Sequence, residues 1–467
     1  MKKAALMVIA AMLLLNGCST QSDYKAPVFE LKNDAWSSEW QVATPADDQP
    51  RGPWWEAFSD PNMNALQQRI DTGNLTLASA LSRFNQANAL ASQARAQQLP
   101  TVDVAGSVLR NRQSDDRPLR GATQPALYSS NTISSVATYE IDLWGRVKNL
   151  VAANEAQAQV AAAEMETLRL SLHALLADHY VALRGVDAQL RLFEKTINNY
   201  QRALLLTKNR HEGGIASGLD VSRAETQLSL ARAQLAELGA QRALHLHAIA
   251  VLIGEPPQTF QLPSHEVVVN LPDVPVGVPS TLLQRRPDVA AAERKMAAAH
   301  ARVGLARTAF FPTFSLGLQA GFQNTGGGSW LTAPNSFWTW GPMTVFNLFD
   351  GGARKAQVAQ AVATLDQASA DYRATVLTAY QQVEDEMAKL RTYGAGMNEL
   401  TQATVSAERA SSLALSRYRD GAVTYLDVIN AQTILLQSQR DLMTLQTKRL
   451  SSGIGLVRAL GGGWNTP

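Results

Sequence analysis

Two aspartates in near-identical settings are the most pointed chemistry in this chain of 467 residues. Ser217-Gly218-Leu219-Asp220 and Thr424-Tyr425-Leu426-Asp427 both fit the hydroxyl-x-x-acid pattern that opens a helix, with hydroxyl and carboxylate each satisfying a backbone N–H. The minimum role is capping, where negative charge near a helix N-terminus is worth about 0.3–1 kcal/mol. If several chains bring these turns around one axis, the same carboxylates become a charged ring at a constriction. Asp427 would form that ring, with Asn430 one turn further on the same face.

Other polar clusters carry less. The 7 histidines contain no HExxH spacing. His179 falls in a heptad seam and reads as a packed core or interface histidine, while His245 and His247, two apart, do not share a helix face. The glycine runs at 326–328 and 461–463 lack the lysine and the strand-turn-helix setting of a phosphate cradle. Glu384-Asp385-Glu386 reads as a solvated or lumenal acidic patch. No nucleophile, base and orienting group come together, so the chain does not read as an enzyme, and no metal site is expected. With 42 basic and 40 acidic residues the net charge is +2, too even to advertise nucleic acid. The 10 methionines are dispersed and make no soft-metal ladder.

Cys18, the single cysteine, excludes an internal disulfide and a CxxC site. Ahead of it, Lys2 and Lys3 precede an apolar run over residues 4–15, too short to span a bilayer and readable as a secretory signal. Leu15-Asn16-Gly17-Cys18 resembles a bacterial lipobox, in which cleavage leaves the cysteine as a lipidated N-terminus. A covalent lipid on Cys18 is therefore expected, and no other cofactor. Ser19, by resemblance to sorted lipoproteins, favours the outer membrane.

The elements that must hold these residues are written twice. Gly214, Leu219, Asp220 and Val221 recur as Gly421, Leu426, Asp427 and Val428, each pair offset by 207 residues, as from 220 to 427. Leu99-Pro100-Thr101 and Phe311-Pro312-Thr313 each end a helical pattern and begin an alternating one. Leu143-Trp144-Gly145-Arg146 and Phe349-Asp350-Gly351-Gly352 each return to a long helix. Two halves of like fold follow, each ordered helix, strand, strand, very long helix, tight turn, helix.

In the third strand, Phe314, Leu316, Leu318, Ala320 and Phe322 alternate with Ser315, Gly317, Gln319 and Gly321 over about eleven residues, the length a tilted strand needs to cross a bilayer. Residues 133–143 place Ala137, Tyr139, Ile141 and Leu143 on one face and Thr138, Glu140 and Asp142 on the other, with charge toward a lumen. Trp338 and Trp340 suit an interfacial aromatic girdle. Residues 113–130 and 324–335 read as external loops. Four strands cannot close a barrel, and an open edge in lipid is prohibitive, so the chain must oligomerise. Strand count alone permits a dimer with eight strands or a trimer with twelve.

Residues 145–212 lack proline and hold Gly185 as the interior glycine, which allows one helix of about 100 Å. Leu168, Leu172, Leu175, His179, Ala182 and Val186 mark a coiled-coil seam, repeated by Val376, Tyr380, Val383, Met387 and Leu390. Shorter companions, about 74–99 and 219–253, stacked end to end, would match the long helix.

Four stretches now identify a resemblance. Trp54-Trp55-Glu56-Ala57-Phe58-Ser59-Asp60-Pro61, Arg285-Arg286-Pro287-Asp288, residues 139–146 (YEIDLWGR) and Arg417-Tyr418-x-x-Gly421 running into Leu426-Asp427-Val428 closely resemble the outer-membrane efflux factors, the TolC and OprM family, in the lipoprotein branch that serves resistance-nodulation-division pumps. The resemblance covers nearly all of the mature chain. It implies a mixed α and β fold, mainly α: a homotrimer whose twelve-stranded transmembrane β-barrel continues into a twelve-helix periplasmic α-barrel. It also implies a passive exit duct in the outer membrane for drugs or other small toxic solutes, with a periplasmic adaptor protein and an inner-membrane transporter as partners. Asp427 and Asn430 match two constricting acidic rings, with Asn in place of the second carboxylate, which implies weaker cation binding. Tyr418 matches a gate tyrosine, but Val423 stands where a partner arginine can occur, so a salt-linked latch does not carry over. Gly214, Ser217, Leu219, Asp220, Gly421, Thr424, Tyr425 and Leu426 form the tips expected to meet the adaptor.

The alternatives are a structural envelope-spanning coiled-coil lipoprotein, or the same duct serving protein secretion or metal-ion export. A tether has no use for lipid-facing alternation. The expected organisation is a lipoprotein signal over 1–17, a lipid-anchored extended segment over 18–60, and a first repeat over 61–255 with strands near 101–112 and 132–143 and helices over 145–212 and 219–253. A linker over 256–284 leads to a second repeat over 285–460, with strands near 313–324 and 337–348 and helices over 351–420 and 424–458, and a tail over 461–467.

Overall fold

A computed structural model describes residues 52–114, 125–264, 286–326 and 328–462. Cys18, the signal segment, and parts of the first external loop, the linker and the tail lie outside them. The fold is mainly helical with one sheet. In chain order the elements are α1 (Pro61–Gly73), α2 (Leu75–Ala96), β1 (Thr101–Arg112), β2 (Leu127–Ile141), α3 (Arg146–Glu212), α4 (Gly218–Leu252), α5 (Pro287–Thr308), β3 (Thr313–Asn324), β4 (Ser336–Val345), α6 (Ala353–Arg419) and α7 (Tyr425–Ala459). Helices α3 and α6 are 67 residues each, and α4 and α7 are 35 each.

The chain divides into two compact units, and α3 and α6 contribute to both. The first contains the sheet, antiparallel throughout in the order β1-β2-β3-β4. Its register sorts the side chains. Val102 pairs with Ala137, Ala137 with Leu318 and Leu318 with Trp340, while Val104, Ser135, Ala320 and Trp338 form the next row of the same face. This face is apolar and open: Leu318 is 48% exposed and Trp338 70%. The opposite face carries Asp103, Val136, Gln319 and Thr339 in one row and Glu140 with Ser315 in another. A period-two strand with one apolar exposed side needs a solvent that is itself apolar.

Three strand ends differ from the sequence expectation. β2 begins at Leu127 rather than near 132, because residues 127–131 pair with 108–112, and it stops at Ile141 rather than 143. Asp142 leaves the polar face to cap the next helix, accepting from the Lys148 N–H at 2.8 Å, and Gly145 turns the chain at φ +76°. β4 likewise ends at Val345 rather than near 348. Asp350 is taken up in starting α6, accepting from Gly352 and Arg354 N–H. Glu140 keeps its place on the polar face and holds Arg146 through two bonds of 2.6 and 2.7 Å. The Trp144 indole donates to the Pro312 carbonyl at 2.7 Å and stacks on Phe311, tying the ends of β2 and α5 together.

In the second unit a further helix, α1, precedes the one expected over 74–99, which forms as α2 over Leu75–Ala96. Asn74 sits between α1 and α2, caps the Leu77 N–H at 2.9 Å and donates to the Leu252 carbonyl. The backbones of Gly73 and of Ile253-Gly254 press together there: a Cβ on Gly73 would collide with the Ile253 carbonyl, and one on Gly254 with the Gly73 carbonyl. Met63, Ile70, Leu176, Tyr180, Ile249 and Ile454 are fully buried around this junction. Within the segment expected to be extended up to 60, Trp54–Phe58 forms a short 3-10 helix, with Trp54 and Phe58 buried in that core and Trp55 stacked 4.5 Å over His173. Asp60 caps α1 and accepts from the Tyr180 hydroxyl at 2.6 Å. Arg184 donates to that hydroxyl and to Asp187, which Arg242 also engages at 2.7 Å, so the buried carboxylate is paired twice.

Candidate functional site at the paired helical turns

Both long helices end the same way. α3 closes through Gly214 at φ +74°, with the Ile215 N–H donating to the Arg210 carbonyl at 2.7 Å. α6 closes through Gly421 at φ +76°, with the Ala422 N–H donating to the Arg417 carbonyl at 2.8 Å. Left-handed glycine is the cheap way to terminate a helix and reverse the chain.

The next helices start on capping boxes. Ser217 N–H and hydroxyl donate to the Asp220 carboxylate at 3.4 and 3.0 Å, and the Asp220 N–H donates back to the hydroxyl at 3.2 Å. Thr424 N–H and hydroxyl donate to the Asp427 carboxylate at 3.0 and 2.7 Å. The Thr424 hydroxyl, followed by its N–H, holds the Asp427 carboxyl below the usual carboxylate range, so Asp427 is charged across physiological pH. Asp427 and Asn430 are exposed, and Asp220 is partly so. Ile215, Leu219 and Leu426 present apolar surface at the same turns.

What joins the two turns is a cluster that no local motif announces. Tyr418 and Tyr425 are buried, rings 5.3 Å apart, against Ala224 and Val428. Burial pushes the Tyr425 phenol up to about 12, opposed by a side-chain hydrogen bond with Thr207. Arg210 closes the cluster from the first hairpin. Its guanidinium lies 4.8 Å from the centroid of the Tyr418 ring and donates to the Tyr418 and Arg419 carbonyls at 2.9 and 3.1 Å. The Tyr418 hydroxyl and the Arg210 Nε are buried without a hydrogen-bond partner, so the contact is held by ring, charge and carbonyls. Val423 packs against this cluster. The cation facing Tyr418 comes from the other hairpin of the same chain, through a residue that sequence reasoning passed over.

The sequence profile of the outer membrane efflux protein family matches residues 66–255 and 278–462. The chain belongs to this family. It is 31% identical over 464 residues to the solvent efflux pump outer membrane protein SrpC of Pseudomonas putida, covering 97% of each chain. It is also 31% identical over 474 residues to the pyoverdine export outer membrane protein OpmQ of Pseudomonas aeruginosa, covering 99% of this chain and 97% of that one. Among solved structures, the outer membrane protein VceC of Vibrio cholerae superposes with a TM-score of 0.82 at 27% identity, over 90% of this chain and 100% of that one. The protein is an outer-membrane channel component of an efflux pump, and as a family member it is a transport duct, not an enzyme.

Another contact in this efflux protein also escaped the sequence. His179 on α3 faces His245 on α4, Nδ1 to Nδ1 at 3.2 Å. Heptad position placed His179 in a packed seam, but the partner became visible only with the register of the two helices.

Proposed function

We propose that three copies of this chain complete a twelve-stranded barrel in the outer membrane, continuous with a twelve-helix periplasmic tunnel, and that the paired turns form its gate. The observation that carries this is the sheet: β1 and β4 are its edges, and one face carries a broad band of exposed apolar side chains, Val102, Val104, Leu318, Trp338 and Trp340. Unpaired edges in hydrocarbon cost several kcal/mol per polar group, and closure with neighbouring copies removes them. The equal lengths of α3 and α6, and of α4 and α7, support an internal repeat with pseudo-twofold character.

At the turns, Asp427 forms a ring of charge with its neighbours in the trimer, Asn430 continues that ring without charge, and Tyr418 with Arg210 holds each pair of hairpins together. Ile215, Leu219 and Leu426 dock a periplasmic adaptor, which links the duct to an energised inner-membrane transporter. Cys18 carries the lipid anchor. Drugs and other small toxic solutes are the cargo, a reading supported by the solvent named for SrpC.

Native mass measurement of the full chain extracted in detergent tests the assembly. A trimer is expected, and a stable monomer or dimer overturns it.

A further inference from the structure

His179 and His245 sit 66 positions apart on successive helices of one hairpin, and they bring two strong metal ligands to a single point. Their Nδ1 atoms are 3.2 Å apart, the ring centroids 5.5 Å, and the planes are inclined by 56°. One imidazole donating to the other accounts for this distance. So does a shared ion: two nitrogens at about 2.05 Å from a metal and 3.2 Å from each other subtend about 103°, close to a tetrahedral angle. Both histidines are half-buried.

We propose that His179 and His245 form a two-nitrogen site for a borderline divalent transition ion, Zn2+, Ni2+ or Cu2+, with water in the remaining positions. Imidazole suits these ions and does not suit Mg2+ or Ca2+, which take oxygen ligands. The positions one turn from each histidine carry no anionic residue, and the one cation among them, Arg242, is engaged by Asp187 at 2.7 Å. Among the described residues no group of three or more His, Cys, Asp or Glu is placed to hold a metal, so this is an open two-ligand site and binds less tightly than a closed four-ligand one. Because one ligand is on α3 and the other on α4, a bound ion staples the hairpin and resists sliding of one helix along the other.

The test is isothermal titration of Cu2+, Ni2+ and Zn2+ into the full-length, tag-free assembled protein in detergent, with Mg2+ as the control ion. The expected result is saturable binding of one ion per chain, tightest for Cu2+, reversed by a chelator and absent for Mg2+. His179→Gln and His245→Gln should each remove it, while His247→Gln leaves it unchanged. Thermal unfolding in metal-free buffer checks that each variant is folded, and added metal should raise the unfolding temperature of the wild type alone. Binding that persists in both single variants, or its absence from the folded wild type, overturns the site.

Discussion

Arg210 and Tyr418 are 208 positions apart, yet the guanidinium of one covers the ring of the other and donates to its carbonyl at 2.9 Å. The contact links the end of α3 to the end of α6 within a single chain. It spends the last carbonyls of α6, which have no partner inside their own helix, on a cation from the neighbouring hairpin. A positive charge at a helix C-terminus is also favoured by the helix dipole. With the Thr207–Tyr425 and Gln227–Thr433 hydrogen bonds, it ties the two hairpins to each other.

The apolar face of the sheet makes a prediction of parity. Leu318 lies in the row with Ala137 and Trp340, whereas Gln319 lies on the other face with Val136 and Thr339. Leu318→Arg should destabilise the assembled barrel by about 2–4 kcal/mol if the site is near the bilayer midplane, and Gln319→Arg should be milder. Heat- or urea-induced dissociation of the extracted oligomer reads the difference. Equal damage at both positions argues against a membrane-spanning strand.

Asp178 predicts a pH dependence. Burial, reinforced by the charge of Glu386 and opposed by Ser451 and Arg458, pushes its carboxyl up to about 6. An unfolded aspartate titrates near 3.8, so the folded state binds the extra proton between these values and loses stability as pH rises through about 6. Asp178→Asn should remove this loss and raise stability near pH 7.5 by on the order of 2 kcal/mol. Unfolding temperatures at pH 5 and pH 7.5 measure it, and a variant whose pH profile matches the wild type contradicts the assignment.

Much of this could be read from residue order because it is local. Alternation in Phe314–Phe322, the Ser217 and Thr424 caps, and the glycines at 214 and 421 are each fixed by backbone geometry within a few positions. Asp142 misled because a strand face and a helix cap ask for the same residue, and only the Lys148 N–H decides between them. Arg210 on Tyr418 and His179 on His245 were invisible for a different reason. Each needs the register of one long helix against another, which packing of many side chains sets and no single spacing encodes.

Lipidation at Cys18 is testable by metabolic labelling. Cys18→Ser should abolish incorporation of radiolabelled fatty acid, while the barrel still inserts, since one acyl anchor adds modest affinity beside closed strands. Continued labelling of the variant defeats the lipobox reading.

Asp427 separates capping from gating. Asp427→Asn keeps a side-chain oxygen for the Thr424 bonds and removes one charge per chain from the proposed ring. In a folded trimer it should shift ion selectivity away from cations and weaken block by multivalent cations. Unchanged selectivity and block leave Asp427 a helix cap and nothing more.

The most direct test of a duct closed at its paired turns is single-channel recording of the purified full-length protein in planar bilayers, wild type beside Arg210→Ala. The expected result is small, discrete conductance steps for the wild type and several-fold larger steps for the variant, because the hairpins are no longer tied at Tyr418. Equal conductance from two properly assembled proteins, or no current from either, contradicts a gate at this contact.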